Sequence, residues 1–322
     1  MLASAQFSPW LWAGFLVLLL VSLALDLRVF HRRPREMRPR EALLGCAVWF
    51  SLALLFAGVL RPLRGEKSSL EFLTAYLLEL SLSLDNLFVI GLVFAWFGVP
   101  APYRHRVLFW GVLGAMLMRG ILIGAGLALV SWAHWLFYGF GAFLVFSSAR
   151  ILFSKTQLKP EKNIALKLAR KFFPVAPALD GDRFVTRLNG RAALTPLALV
   201  LVLIETGDLL FATDSIPAVF AVSTDPFVVF TSNILAVLGL RSLYFVLEGA
   251  LACFRYLKYG LSLVLMFAGV KLLLDPHGRS PRWFQVEIPV SLTLPIVGAI
   301  LLLTVGLSVA VSRRENTRRK RD

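Results

Sequence analysis

Apolar residues gather into nine long runs, at roughly 9–27, 42–60, 70–97, 107–130, 133–153, 196–222, 227–252, 255–275 and 287–311, each with few charges inside it. About 20 mostly apolar residues of α-helix cross the hydrocarbon core of a bilayer, so each run predicts a transmembrane helix. The polar connections are short except for 154–195, which is basic and carries Pro160, Pro174 and Pro177. Within it the stretch 162–173 has helical periodicity and predicts a helix lying on the membrane surface. The pattern predicts an all-α polytopic membrane protein. Two spans occupy 1–62, three occupy 63–153, the basic loop is 154–195, three more spans occupy 196–276, and a last span with a basic tail fills 277–322.

Composition agrees with this class. Of the 322 residues, 58% are apolar and 16% charged, whereas an ordinary soluble domain has about 45–50% and about 25%. Disorder, a nucleic-acid module and most cytosolic enzymes are excluded. A formal net charge of +15 would suit a polyanion partner, but the basic residues follow topology. Of 34 Lys and Arg, 26 fall in 26–41, 98–106, 150–195, 253–260 and the tail after 311; six fall in the opposite connections, and Arg119 and Arg241 lie within spans. Basic connections stay cytoplasmic, which predicts a multi-pass protein of the inner, cytoplasmic membrane with its N-terminus outside and its C-terminus inside. No basic residue precedes the first run, so it reads as an uncleaved helix. Cys46 and Cys253 both lie in apolar runs and form neither a disulfide framework nor a paired metal motif.

The halves resemble each other. Glu79 is followed six residues later by Asp85-Asn86, and Asp208 six residues later by Asp214-Ser215. The strings ending at Arg119 and Arg241 match, as do Tyr138-Gly139 with Arg150-Ile151-Leu152 and Tyr259-Gly260 with Lys271-Leu272-Leu273; the offsets are 129, 122 and 121 residues. Spans three apart run in opposite directions, so spans 3–5 and 6–8 form an inverted-topology repeat. Transporters built this way hold their substrate near the midplane where the repeats meet.

The acids carry the candidate chemistry. Glu79, Asp85, Glu205, Asp208 and Asp214 all lie inside predicted spans. Each such charge costs about 2.5–3.5 kcal/mol at a helix centre, so each needs a proton, a counter-ion or a function. Arg119 and Arg241 can offset two of the five. The other side chains at hand, the Asn86 amide and the Thr213 and Ser215 hydroxyls, are hard oxygen donors suited to Mn2+, Mg2+ or Ca2+. Glu205 and Asp208 share a helix face, and Asp214 points elsewhere. Pro217 cannot donate to the Thr213 carbonyl, which predicts a break that would free that oxygen beside Asp214. Glu248, near the end of its span, reads as an interfacial acid. Arginine–carboxylate pairs can also simply lock helices together.

The strings Glu79-Leu-Ser-Leu-Ser-Leu-Asp-Asn-Leu-Phe-Val, Glu205-Thr-Gly-Asp-Leu-Leu-Phe-Ala-Thr-Asp-Ser-Ile-Pro-Ala and Asn233-Ile-Leu-Ala-Val-Leu-Gly-Leu-Arg-Ser-Leu-Tyr-Phe resemble the signature segments of the TerC/Alx family, over roughly 43–312. The family is named for tellurite resistance, and members are linked to manganese export. The resemblance implies a Mn2+ efflux transporter with Glu79, Asp85, Asn86, Glu205, Asp208, Asp214 and Ser215 at the site, no permanent cofactor, and the bilayer, a divalent cation and protons as partners. Gly207 departs from the pattern, since members commonly carry threonine there. Two rivals stand beside it. A membrane scaffold for metal or tellurite stress would keep its role with the acids neutralised. An intramembrane aspartyl protease would need Tyr-Asp and Gly-x-Gly-Asp motifs, and neither string occurs in the sequence.

Overall fold

The computed structural model describes residues 9–30, 39–133, 135–153, 164–188, 190–248, 257–274, 285–286 and 288–319. Its helices are α1 (Pro9–Phe30), α2 (Pro39–Trp96), α3 (Ala101–Trp132), α4 (Leu136–Phe153), α5 (Ile164–Phe172), α6 (Pro196–Phe220), α7 (Pro226–Glu248), α8 (Leu257–Leu274) and α9 (Val290–Arg319). A short antiparallel hairpin, β1 (Val185–Leu188) and β2 (Arg191–Leu194), lies between α5 and α6, with Val185 opposite Leu194 and Leu188 opposite Arg191. The protein is thus the all-α membrane architecture expected from the apolar runs. Among the described residues, α2, α3, α4, α6, α7 and α9 carry stretches long and apolar enough to cross a membrane; Pro9–Ala24 and Ser262–Leu274 are shorter apolar helices.

α2 shows how sequence sets the path. A straight helix of its 58 residues would be about 87 Å long, far more than the ~30 Å bilayer core. Gly65 ends the problem by adopting φ 89°, ψ 167°, a region open essentially to glycine alone. The arms 39–64 and 66–96 then fold back on each other. Ser69 Oγ donates to the Ala57 carbonyl at 2.7 Å, and the rings of Phe56 and Phe72 sit 5.0 Å apart. The predicted runs 42–60 and 70–97 are these two arms.

α7 is the central post. Of its most apolar stretch 89% is buried, against 17–39% for the other crossing helices. Its small polar residues therefore face protein, and they are satisfied locally: Thr231 Oγ1 donates to the Phe227 carbonyl at 2.7 Å and Ser232 Oγ to that of Val229 at 3.2 Å. Both ends of α7 are tied down. Asp225 accepts from the Phe227 and Val228 amides at 2.9 and 3.3 Å and pairs with Arg64 at 3.0 Å. At the other end Glu248 pairs with Arg104 at the start of α3. Glu248, expected as an interfacial acid, also clamps helix to helix, because α3 brings a cation to it.

α4 packs chiefly against α8, and the contact is reciprocal. Ser148 and Ser262 meet side chain to side chain at 3.0 Å, and each donates to the other's carbonyl, at 2.7 and 2.9 Å. A Cβ on Gly141 would stand 3.0 Å from the Gly269 carbonyl, and one on Gly269 2.9 Å from the Gly141 carbonyl. At the sequence offset of 121 residues, Gly141 corresponds to Ser262 and Ser148 to Gly269. The two contacts are therefore exchange-related, the pattern that a two-fold axis through this crossing would produce.

Candidate functional site

Four helices place side chains at one buried point. Glu79 and Asn86 are seven residues apart on the second arm of α2, hence on one face; Arg119 comes from α3, Asp208 from α6 and Asn233 from α7. Each of the five is at most 3% exposed. Arg119 is the hub. Its Nε and Nη2 donate to the two oxygens of Asp208 at 3.0 and 2.7 Å, a bidentate fork. Its Nη1 donates to Glu79 and, at 3.4 Å, to Asn233 Oδ1. The amides complete the shell: Asn233 Nδ2 donates to Glu79 Oε2 at 2.8 Å and Asn86 Nδ2 to Asp208 Oδ1 at 2.8 Å. Ser83, one turn after Glu79, donates to its Oε1 at 3.3 Å. With both acids ionised, two carboxylates and one guanidinium leave the cluster with a net charge of −1.

Arg119 thus binds a carboxylate from each half, and Arg241, its counterpart in α7 by sequence, is likewise buried.

The other sequence-predicted residues are dispersed. Glu205 is one turn before Asp208 and also faces α3, where its carboxylate fills the notch left by Gly114; a Cβ on Gly114 would collide with it. Its Oε2 is buried without a hydrogen-bond partner. Asp214 faces a different neighbour and accepts from Ser147 of α4 at 3.0 Å. Ser215 is buried, and its hydroxyl has no hydrogen-bond partner. The Asp85 side chain lies outside the described residues. Among the described residues, no three His, Cys, Asp or Glu side chains stand together in a group that could hold a metal ion. The described acids therefore do not all meet at one point: Glu79 and Asp208 share Arg119, Glu205 lies beside them against α3, and Asp214 turns to α4.

Pro217 does not unwind α6, which is helical from Pro196 to Phe220. It falls in the last turn, where little helix remains to be redirected. Thr213 is exposed, and its hydroxyl turns back to the Leu210 carbonyl at 2.6 Å, so it faces away from the network. Gly207 leaves room: an added Cβ would meet only Val89 Cγ1, at 4.0 Å.

Asn233 and Ser147 were not singled out from the sequence as site residues. A lone asparagine in the middle of an apolar run is a signal for the first. Ser147 offers none, since its role depends on which helix packs beside Asp214.

What the network can do follows from its parts. The Asn86 Oδ1 is buried and has no hydrogen-bond partner among the described residues. The two carboxylates and Asn233 Oδ1 are hard oxygens engaged by a covalently attached cation, the guanidinium of Arg119, and Asn86 Oδ1 adds a further hard oxygen beside them.

The profile of the Integral membrane protein TerC family matches residues 64–318. An uncharacterized membrane protein of Myxococcus xanthus is 45% identical over 311 residues, covering 96% of this chain and 95% of its own. The Alx protein of Escherichia coli K12, named as a candidate membrane-bound redox modulator, is 39% identical over 325 residues, covering 97% of this chain and 98% of its own. No solved structure matches the chain at a significant level.

Proposed function

The chain belongs to the TerC family of integral membrane proteins, and from that premise we propose that it is a secondary transporter carrying a divalent metal ion, Mn2+ before Mg2+ or Ca2+, out of the cytoplasm. The observation that supports this reading is the buried Glu79–Arg119–Asp208 network with its two asparagines. Acids so deep in a membrane protein mark ion or proton pathways more often than passive structure.

In the metal-free state Arg119 offsets one of the two carboxylate charges and bridges both acids. A divalent ion reaching the point between Glu79 and Asp208 replaces the guanidinium and takes carboxylate and amide oxygens, the ligands that suit Mn2+, Mg2+ and Ca2+. Glu205, one turn away with a free oxygen, is placed to receive the ion or a proton on its way. Protonating either carboxylate removes half of the charge that holds the ion, and this couples export to proton entry. Rocking of one half against the other would open the point to each side in turn.

Uptake of radioactive Mn2+ into everted membrane vesicles tests the reading. Wild type accumulates the ion, and Glu79→Gln and Asp208→Asn each reduce accumulation to background; uptake unchanged in both variants, with normal protein levels, overturns it. The fully bonded state of Arg119 favours one competing reading, a static lock between helices within a stress-response scaffold. On that reading the same variants lower stability but leave the metal or tellurite phenotype intact. The redox modulation in the name of the Escherichia coli relative would reach this chain through metal supply, since the buried network contains no thiol.

A further inference from the structure

The segment between α4 and α6 is folded against the membrane helices. Leu166 of α5 is buried in the same core as α6 and α7. The hairpin strand β2 is tied to the end of α5 through Leu194, whose amide donates to the Pro174 carbonyl at 2.8 Å and whose carbonyl accepts from Ala176 at 2.8 Å. Thr195 then caps α6: it donates to the Arg183 carbonyl at 2.7 Å and accepts from the Ala198 amide at 3.4 Å. Arg106 of α3 pairs with Asp182 and lies 5.6 Å over the ring of Phe184. These bonds hold α5 beside the first turn of a membrane-crossing helix.

At 100° per residue α5 has three sectors. One, with Leu166 and Ala169, is packed on the protein. A second, with Lys167, Arg170 and Lys171, is basic and exposed. The third, with Leu168 and Phe172, is apolar yet 48% and 69% exposed, and Phe173 just beyond the helix is 55% exposed. The apolar face is thus wider than the protein covers, and the uncovered part lies next to a run of cations at the level where α6 enters the bilayer.

We propose that α5 is an interfacial anchor for an anionic lipid surface, with Leu168, Phe172 and Phe173 entering the acyl boundary while Lys167, Arg170 and Lys171 engage lipid phosphates. Charge complementarity selects this occupant: three cations flank the exposed apolar residues, and Arg187 and Arg191 of the adjoining hairpin are exposed as well. A basic amphipathic helix of this kind binds by buried apolar area and attraction to anionic lipid together. On the topology set by the basic residues the leaflet is the cytoplasmic one, which carries anionic lipid. The inference is independent of what the protein transports.

The test is amide hydrogen exchange of residues 164–173 in the full-length protein, reconstituted in nanodiscs of phosphatidylcholine alone or mixed with phosphatidylglycerol. The segment exchanges more slowly in the anionic discs, by about fivefold for each basic residue engaged, and the difference disappears at about 1 M salt, where the Debye length is ~3 Å. The triple variant K167E/R170E/K171E abolishes the lipid difference, and F172S/F173S raises exchange in both lipids, with α7 exchange as the control for an intact fold. Leu166, the docked residue, is left unchanged in both variants. Equal wild-type rates in the two lipids, or a difference that survives high salt, overturn the proposal. So does slowing that requires added soluble cell extract, which would point to a protein partner.

Discussion

Arg119 is held by two carboxylates and an amide from three other helices, and none of the five network residues has appreciable access to solvent. Removing one partner of such a cluster is worse than removing all of its charges, because the remainder is left buried and uncompensated. Arg119→Leu should therefore lower the stability of the detergent-solubilised protein by about 3–5 kcal/mol, measured by thermal unfolding. Combining it with Glu79→Gln and Asp208→Asn should recover much of that loss; a triple variant as unstable as Arg119→Leu would show that charge is not what matters. At Gly114 the issue is space. Gly114→Ala drives a methyl into the Glu205 carboxyl group, so it should destabilise the wild type and be relieved in Glu205→Ala, with a coupling of about 0.5–3 kcal/mol in the double-mutant cycle. Additive effects would mean that Glu205 moves aside freely.

At the scale of elements, local chemistry does what the fold requires at a few identifiable places. Gly65 has open space around its missing side chain, so Gly65→Ala tests backbone conformation alone. It should cost about 1–3 kcal/mol through its φ of 89°, with no effect from crowding. Asp225→Ala removes the α7 cap and the Arg64 pair together and should cost about 1–2 kcal/mol; both are read by thermal unfolding. The sequence disclosed these elements unevenly. Both arms of α2 were visible as apolar runs, and Pro62 and Gly65 stand in the polar stretch that joins them. Glu79 and Asp208 were conspicuous because charge in an apolar run is costly. Asn233 gives a weaker signal, since a neutral amide in an apolar run costs less than a charge. The hairpin 185–194 leaves little trace in the sequence: its strands are four residues each, and only the Asn-Gly dipeptide between them marks a turn. The partners of Glu248 and Asp214 come from helices more than 60 residues away in sequence, so periodicity could place those acids on a face but could not say what the face meets. The turn of α6 at Pro217 was expected as a break, and the structure keeps it helical because the proline sits too near the end of the helix to divide it.

For the whole molecule, the α4–α8 crossing and the Arg119 network describe two different kinds of order. At the crossing Gly141 and Gly269 face each other across one contact, so Gly141→Ala and Gly269→Ala, each of which pushes a methyl against the opposing carbonyl, should each destabilise by about 1–3 kcal/mol, read by thermal unfolding. Either change without effect would show that the two backbones have room to part. The network, by contrast, converges on one residue: a single arginine, Arg119, binds a carboxylate from each half, Glu79 and Asp208. There is a further consequence of Arg119 being part of the chain. A guanidinium on a side chain is a competitor that never dilutes: it stands beside the two carboxylates at an effective concentration that no change in cellular ions can lower. Sodium or potassium, offering one positive charge in exchange for one, gains nothing by displacing it and must also give up water. A doubly charged ion gains a full extra charge. On the proposed transport of a divalent ion, discrimination against the abundant monovalent ions would rest on a covalent bond and would need no finely shaped cavity.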